Sequence, residues 1–264
     1  MAALSAVAAE SRTITGLDIE VRRAGKGPSL LVLHGEFGVP GWLDAYARLS
    51  QSFDVIVPSL PGYGRSQRPE WIMSVRDYAA WVTWFARDIG LSSPVHVLGH
   101  SLGGWIAAEI ATIAPQFIDR LVLAGAMGMK PESGEIFDYF LESGRTGIER
   151  AFHRPEQCAE YRKYYIGDWG PDQNEATEDH REMTCRVAWK PYMHSLTLPG
   201  LLPAIATPTL IVWGRQDAIT PLNSGELYQR GIAGARLAVI EDCGHMAEME
   251  QPGAFAGLVQ DFLK

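Results

Sequence analysis

The chain alternates between short apolar runs and longer segments with helical spacing. The apolar runs are rich in β-branched residues and have strand length, and segments such as 75–89 and 252–264 have the periodicity of helices. Such alternation predicts a mostly parallel sheet with helices on both faces. Two short alternating segments flank Thr15-Gly16 and predict an antiparallel hairpin at one edge. The predicted strands are residues 12–14, 17–22, 29–33, 54–57, 95–98, 121–123, 209–213 and 237–240.

The alternation stops between residues 131 and 202, where aromatic, histidine and charged residues crowd together. We predict that this segment is a helical cap inserted between the sixth and seventh strands. The core domain would then consist of residues 1–130 and 203–264. Because open parallel sheets bind ligands at the carboxyl ends of their strands, the cap would cover that edge and shape a pocket. Most of its aromatic side chains are expected to pack its own helices together.

The strand predicted at 95–98 leads directly into Gly99-His100-Ser101-Leu102-Gly103, and a helical stretch of small residues follows. Gly-x-Ser-x-Gly between a buried strand and a helix is the pattern of a nucleophile elbow. The two glycines allow backbone segments to approach where a Cβ atom would clash. A helix that begins near Leu102 directs its amide dipoles at an oxyanion formed beside Ser101. We therefore predict that Ser101 is a nucleophile.

A serine nucleophile needs a base and an orienting acid, which follow it in the order Asp then His in this architecture. Asp217 lies just past the strand predicted at 209–213, and His245 lies in the loop after the last strand. Asp242 is an alternative acid, but its position three residues before His245 suits it better to brace its own loop. We assign Asp217 as the orienting acid and His245 as the base.

The other histidines have positions that favour other roles. They are His34 at the end of an early strand, a predicted turn former; His96 within an apolar run, predicted to be packed; His100 at the variable position of the elbow; and His153, His180 and His194 in the predicted cap.

These motifs, in this order, resemble those of α/β-hydrolase-fold enzymes, in the branch that includes carboxylesterases, lactonases and carbon–carbon bond hydrolases. The resemblance covers nearly the whole chain and implies an eight-stranded, mostly parallel sheet with a helical cap. It implies that Ser101 attacks, His245 takes its proton and Asp217 fixes the imidazole tautomer, without a cofactor or metal. The residues that carry it are Leu31-Val32-Leu33-His34-Gly35-Glu36, Pro61-Gly62-Tyr63-Gly64-Arg65-Ser66, Gly99-His100-Ser101-Leu102-Gly103-Gly104, Trp213-Gly214-Arg215-Gln216-Asp217 and Gly244-His245.

The resemblance also assigns an oxyanion hole to two backbone amides, here those of Glu36 and Leu102. The side chain of Glu36 is not needed for that role, and a carboxylate would oppose a developing oxyanion unless it points away or is protonated. The candidate substrate-binding residues are Phe37, which is bulky enough to narrow the acyl pocket, with His100, Trp189 and Met246.

The sequence departs from similar enzymes in several places. Glu36-Phe37-Gly38 replaces a turn of small residues, and Ser59 stands where relatives often place an aspartate, a change expected to affect only local bracing. Met246 stands where the carbon–carbon hydrolases usually have tryptophan, which disfavours that reaction. Similar carbon–carbon hydrolases bind a substrate carboxylate with an arginine in this segment, and Arg186 is the candidate here. The simpler interpretation is that Arg186 lies on a solvent-exposed helix face.

Composition restricts the partners and the compartment. With 264 residues, 47% hydrophobic and 20% charged, the chain fits one core domain with an insertion. A net charge of −8 disfavours nucleic-acid and anionic-membrane partners. The first ten residues lack a signal peptide pattern, and no apolar run approaches the length of a membrane span. We expect a cytoplasmic monomer or homodimer that acts on a small molecule and has no membrane partner.

Three cysteines, Cys158, Cys185 and Cys243, are an odd number without close spacing, which argues against a disulfide framework or a zinc site. Cys243 lies two residues before His245, but it has no elbow and is expected to be a small buried residue.

Three functions are compatible with these residues. The leading hypothesis is a serine hydrolase that cleaves small to medium carboxylic esters or lactones through an acyl-enzyme, without a cofactor. The first alternative is a carbon–carbon bond hydrolase of meta-cleavage-type dienoates. The second is a ligand-sensing module that turns over slowly and signals through its cap. Epoxide hydrolysis and dehalogenation need a carboxylate nucleophile where this chain has Ser101.

Overall fold

The computed structural model describes residues 7–92 and 94–264. Within these ranges, eight strands form one sheet, as predicted, and the hairpin around Thr15-Gly16 is its first element. The strands are β1 (Glu10–Ile14), β2 (Leu17–Ala24), β3 (Ser29–Leu33), β4 (Asp54–Pro58), β5 (Val95–His100), β6 (Ile118–Ala124), β7 (Thr209–Gly214) and β8 (Arg236–Ile240).

The sheet runs in the order β1-β2-β4-β3-β5-β6-β7-β8. Strands β3 to β8 are parallel, and β2 pairs antiparallel with both β1 and β4. The chain places β4 on one side of β3 and β5 on the other, so the strand order reverses at β3. Ligands in open parallel sheets bind beyond the carboxyl ends of the strands at such a reversal. Leu33 pairs with Gly99, which brings the segments that follow β3 and β5 together there.

Helices cover both faces of the sheet and supply the segment between β6 and β7. Strands β5 and β7 are buried along their whole length, which explains why apolar residues occupy both faces of each strand. The helices are α1 (Asp44–Leu49), α2 (Val75–Asp88), α3 (Leu102–Ile113), α4 (Gly144–Arg150), α5 (Ala159–Tyr164), α6 (Pro171–Ala188), α7 (Leu198–Leu201), α8 (Leu222–Gly231), α9 (Ala247–Glu250) and α10 (Pro252–Leu263), with short 3₁₀ helices at Pro115–Phe117, Pro155–Gln157 and Leu202–Ala204.

Helix α2 starts where the sequence predicts, because Ser74 caps it. The Ser74 side chain accepts a hydrogen bond from the amide of Asp77 at 3.2 Å, and the Asp77 carboxylate accepts one from the amide of Met73. This reciprocal arrangement satisfies amides that would otherwise lack partners at a helix start.

The segment between β6 and β7 contains α4 to α7, and we propose that residues 131–202 act as a cap. Helix α6 lies against the loops that follow β3 and β4. There Thr184 and Tyr63 share a hydrogen bond of 2.8 Å, and His180 accepts one from the amide of Gly64 at 3.0 Å. The last part of the segment packs on the core instead, since α7 contacts α3.

Candidate active site

Ser101 lies on a strained turn between β5 and α3. Its φ is 51° and its ψ is −115°, a left-handed conformation that costs a residue with a side chain on the order of 1–3 kcal/mol. Backbone hydrogen bonds hold the strain in place. The Ser101 amide donates to Ala124 at 2.9 Å, and the Ser101 carbonyl accepts from Trp105 at 3.1 Å and Met127 at 3.0 Å. The turn therefore presents the Ser101 side chain at the carboxyl edge of the sheet.

The glycines of the elbow are needed for close backbone packing. A Cβ atom at Gly99 would overlap the carbonyl of Gly103, and one at Gly103 would overlap the carbonyl of Leu33. The start of α3 therefore packs directly against the end of β3. On the other side of the serine, a Cβ atom at Gly35 would come within 2.9 Å of the Cβ atom of Ser101.

Asp217 and His245 form a buried pair after β7 and β8. His245 Nδ1 lies 2.8 Å from Asp217 Oδ2, and both side chains are fully buried. The other oxygen, Asp217 Oδ1, accepts the amides of Ile219 and Thr220, each at 2.9 Å. With its acceptor position fixed in this way, Asp217 holds the proton on Nδ1 and leaves Nε2 as the basic nitrogen of the imidazole.

The reacting atoms assigned by the sequence lie unpaired in the interior. Ser101 Oγ and His245 Nε2 are both buried, and neither has a hydrogen-bond partner within the described ranges. They therefore do not bond to each other here. Such contacts are often long before a substrate binds and shorten in the reacting complex.

Three buried carboxylates govern the protonation of His245. Burial alone lowers the pKa of its imidazole, but the charge and hydrogen bond of Asp217, with the charges of Glu36 and Glu248, outweigh burial and raise this pKa to about 9. The imidazolium form is thus favoured at neutral pH in the free protein.

The pH dependence of activity follows from this pKa. Only the unprotonated imidazole can take a proton from Ser101, so we expect kcat/KM for an ester to rise with pH through the neutral range, with the midpoint of this rise near pH 9. The measurement is a pH–rate profile with a p-nitrophenyl ester, corrected for hydroxide hydrolysis. A limb centred near the ordinary histidine value of about 6.5 would contradict the raised pKa, and a profile that is flat through this whole range would contradict His245 as the base.

The loop that carries the proposed oxyanion amide of Glu36 is held by His34. His34 Nδ1 lies 2.7 Å from the carbonyl of Gly35, and Nε2 accepts the amide of Leu60 at 2.9 Å. Burial lowers the pKa of His34 to about 3, so its ring is neutral, with the proton on Nδ1. These contacts agree with its prediction as a turn residue. Leu102, the other proposed donor, is the first residue of α3, where amides have no partner inside the helix.

The side chain of Glu36 does not point away from the site. It is fully buried, Oε1 lies 3.8 Å from His245 Nε2, and neither carboxylate oxygen has a hydrogen-bond partner in the described residues. The sequence analysis expects the Glu36 carboxylate either to point away from the oxyanion or to be protonated. The structure does not show the first of these arrangements.

Phe37, His100 and Met246 lie around one small cavity near the triad. The cavity has a volume of about 10 Å³, room for about one water molecule. Phe37 also packs edge-on against Tyr139 of the cap, with ring centroids 5.4 Å apart. His100 lies below the triad, with Nε2 3.0 Å from the carbonyl of His245 and Nδ1 3.4 Å from Glu248 Oε1.

The structure corrects the expectation for Trp189. Its side chain is 55% exposed and packs on Phe140 and Tyr192 at the outer surface of the cap, so it is not brought to the triad. Aromatic side chains of the cap lie both in its interior and at its surface. The sequence does not show which of them are buried. Arg186 is likewise directed elsewhere, since it donates to the carbonyl of Pro69 at 3.3 Å.

Asp242 does not compete with Asp217. Its carboxylate is largely exposed and pairs with Arg154 at 3.1 Å, so it braces the loop before His245 as expected. Cys243 is fully buried, and burial raises the pKa of its thiol.

Three contacts at the site have little or no sequence signal. Thr220 Oγ1 lies 3.1 Å from Asp217 Oδ2, and its position three residues after the acid is the one available clue. His180 Nδ1 lies 3.1 Å from the carbonyl of Phe37, a link between cap and core that no local pattern indicates. Tyr139 places an unpartnered, buried hydroxyl beside this region.

The described ranges contain no cluster of three or more acidic, histidine or cysteine side chains suited to a metal ion. In the same part of the chain, no helix combines the length and the apolarity that crossing a bilayer requires.

Comparisons with known proteins agree with this geometry. The chain is 26% identical to 2-hydroxymuconate semialdehyde hydrolase from Pseudomonas sp. (strain CF600), covering 94% of this chain and 91% of that protein. It is 25% identical to a monoacylglycerol lipase from Homo sapiens, covering 91% and 77%. A solved membrane phospholipase A superposes with a TM-score of 0.76 at 26% identity, covering 98% and 86%. The model of the alpha/beta hydrolase family matches residues 30–258, and the chain belongs to that family.

Proposed function

We propose that this protein is a serine hydrolase that cleaves small to medium carboxylic esters or lactones through an acyl-enzyme. The observation that carries the proposal is the buried Asp217–His245 pair with an unpartnered Nε2. These two residues follow β7 and β8 as the strained Ser101 follows β5, at the carboxyl edge of the parallel sheet. A weakly nucleophilic hydroxyl, a base and an acid that orients the base are the parts that this chemistry needs.

The reaction then runs in two half-cycles. His245 Nε2 takes the proton of Ser101 as Oγ forms a bond to the carbonyl carbon, and it gives that proton to the alcohol oxygen as the ester C–O bond breaks. Water next attacks the acyl group, His245 takes its proton, and that proton returns to Ser101 as the carboxylic acid leaves. With a lactone, the alcohol and the acid are parts of one product.

Backbone amides would stabilise the oxyanion of both half-cycles. The amide of Leu102 lies at the start of α3, next to Ser101, and Gly35 contacts Ser101 from the opposite side. We propose that the amides of Glu36 and Leu102 point to this space. Each such donor contributes on the order of 3 kcal/mol to the transition state in related chemistry.

Substrate must displace part of the cap to enter. Ser101 is fully buried, and the cavity lined by nearby Gly35 and His100 has room for about one water molecule. The polar contacts that join the cap to the core near this region include His180 to Phe37 and Thr184 to Tyr63. Opening of the cap followed by closure would admit a small ester and then exclude water.

Hydrolysis of a carbon–carbon bond is the second candidate. It is favoured by the similarity to 2-hydroxymuconate semialdehyde hydrolase, which covers 94% of this chain. The electrostatics of the site disfavour an anionic dienoate. Within the described residues, no lysine or arginine pairs with Glu36, and Arg186 is bonded to the backbone of Pro69.

Covalent labelling tests Ser101 as the nucleophile, and ester turnover separates the two candidate functions. We expect a fluorophosphonate to add its phosphonyl mass at Ser101, detected by mass spectrometry of the intact protein and its peptides, because a phosphonyl serine mimics the tetrahedral intermediate. A series of p-nitrophenyl esters should then turn over, and the dependence of kcat/KM on chain length measures the size of the acyl pocket.

Two variants control the labelling experiment. Ser101→Ala should not be labelled, whereas Ser133→Ala, which changes an exposed cap serine, should be labelled like the wild type. Labelling without ester turnover would contradict the esterase proposal and favour the carbon–carbon hydrolase, tested with a ring-cleavage dienoate, or the sensing module.

A further inference from the structure

Glu36 places an unpaired carboxylate at the reacting centre. Both of its oxygens are buried and without a hydrogen-bond partner in the described chain, and Oε1 lies 3.8 Å from His245 Nε2. A buried carboxylate in this state costs several kcal/mol of desolvation unless a charge or a donor compensates it. The imidazolium of His245 is the one protein cation within 4 Å of it among the described residues.

Catalysis removes that compensation. When His245 is neutral and ready to accept the serine proton, Glu36 has no counter-ion among the described residues. The imidazolium forms again only as the oxyanion develops. A neutral ester therefore leaves the Glu36 carboxylate without a compensating charge while the substrate binds. A substrate that brings a positive charge to Glu36 would offset it and would also leave His245 free to act as the base.

The surroundings of Glu36 suit a small cation. Tyr139 lies near enough for the Glu36 charge to act on its pKa, and its ring packs edge-on against Phe37. Aromatic faces attract ammonium groups. The Tyr139 hydroxyl is buried without a partner, so it can accept a hydrogen bond. Burial, with a smaller contribution from the Glu36 charge, raises the pKa of Tyr139, so this hydroxyl stays protonated and uncharged.

We propose that Glu36 is a specificity-determining residue that binds an ammonium group of the substrate, and that the preferred substrates are esters with that group on the carbon α or β to the carbonyl. This inference rests on the serine hydrolase function proposed above. The proximity of Glu36 to the reacting centre limits how far the ammonium can lie from the carbonyl carbon. Nε2 must reach Ser101 Oγ, which bonds to the carbonyl carbon, and Glu36 lies 3.8 Å from the same nitrogen.

Matched esters test the proposal. Glycine ethyl ester and ethyl propionate differ by an ammonium group in place of a methyl group, and β-alanine ethyl ester and ethyl butyrate form a second pair. The measurement is kcat/KM for all four with the wild type and Glu36→Gln at one neutral pH. Ammonium groups also activate esters intrinsically, but that effect cancels when the ammonium-to-methyl ratio is compared between the two proteins.

We expect this ratio to fall by about 10- to 100-fold in Glu36→Gln for at least one pair, the size of a lost charge-assisted hydrogen bond. Glu248→Gln is the matched control, because it also removes a buried carboxylate that acts on His245 but one that faces His100. Its ratio should equal that of the wild type. An unchanged ratio in Glu36→Gln, or an equal fall in Glu248→Gln, would overturn the proposal.

A failure of the proposed hydrolase function gives a different result from a failure of the proposed role of Glu36. If the proposed hydrolase function is wrong, neither neutral nor charged ester is cleaved and a fluorophosphonate does not label Ser101, and the specificity proposal is overturned with it. If only the role of Glu36 is wrong, Ser101 is labelled and the neutral esters turn over, while the ratio stays the same in both proteins.

Discussion

Replacing Ser101 with alanine is expected to lower kcat for p-nitrophenyl esters by about 10⁴- to 10⁶-fold, since triad members act as a unit and the remaining oxyanion donors alone give little turnover. The fold should persist. Ser101 Oγ has no hydrogen-bond partner in the described structure, and the backbone bonds of the elbow do not involve the side chain. The measurement is single-turnover and steady-state kinetics on purified protein, with the thermal midpoint as a check of folding.

Ser133→Ala controls for the loss of a hydroxyl elsewhere in the chain and should retain wild-type kinetics, since Ser133 is an exposed cap residue. A folded Ser101→Ala protein with more than about a hundredth of wild-type activity would rule out Ser101 as the nucleophile. Without its attacking oxygen, an enzyme that depends on Ser101 cannot retain that much activity.

The sheet could be predicted from the sequence because its strands are buried on both faces. Apolar runs such as those of β5 and β7 have few interpretations when they recur between helical segments. Differences are confined to the ends of elements; β2, for instance, extends to Ala24, where it pairs with β4. Those ends are set by pairing with distant strands rather than by local sequence.

The candidate site could be predicted only in part. Glycine spacing and chain order select Ser101, Asp217 and His245 as candidates, and the structure brings the last two into contact. The direction of the Glu36 side chain could not be predicted, because it depends on the backbone of the loop that His34 holds. Nor could the sequence separate buried Tyr139 from exposed Trp189, since short cap helices carry aromatic residues on several faces.

Replacing Asp217 with asparagine is expected to lower kcat/KM by about 10⁴-fold at neutral pH. Asp217 Oδ1 accepts two backbone amides, so an asparagine oxygen would take that place and its NH₂ group would face His245 Nδ1. The imidazole would then carry its proton on Nε2, the nitrogen that must accept the serine proton. Asp242→Asn is the matched control: this exposed acid precedes His245 by three residues and pairs with Arg154, so its variant should keep wild-type activity. If the two variants lost activity equally, or only Asp242→Asn lost it, the orienting acid would have to be reassigned.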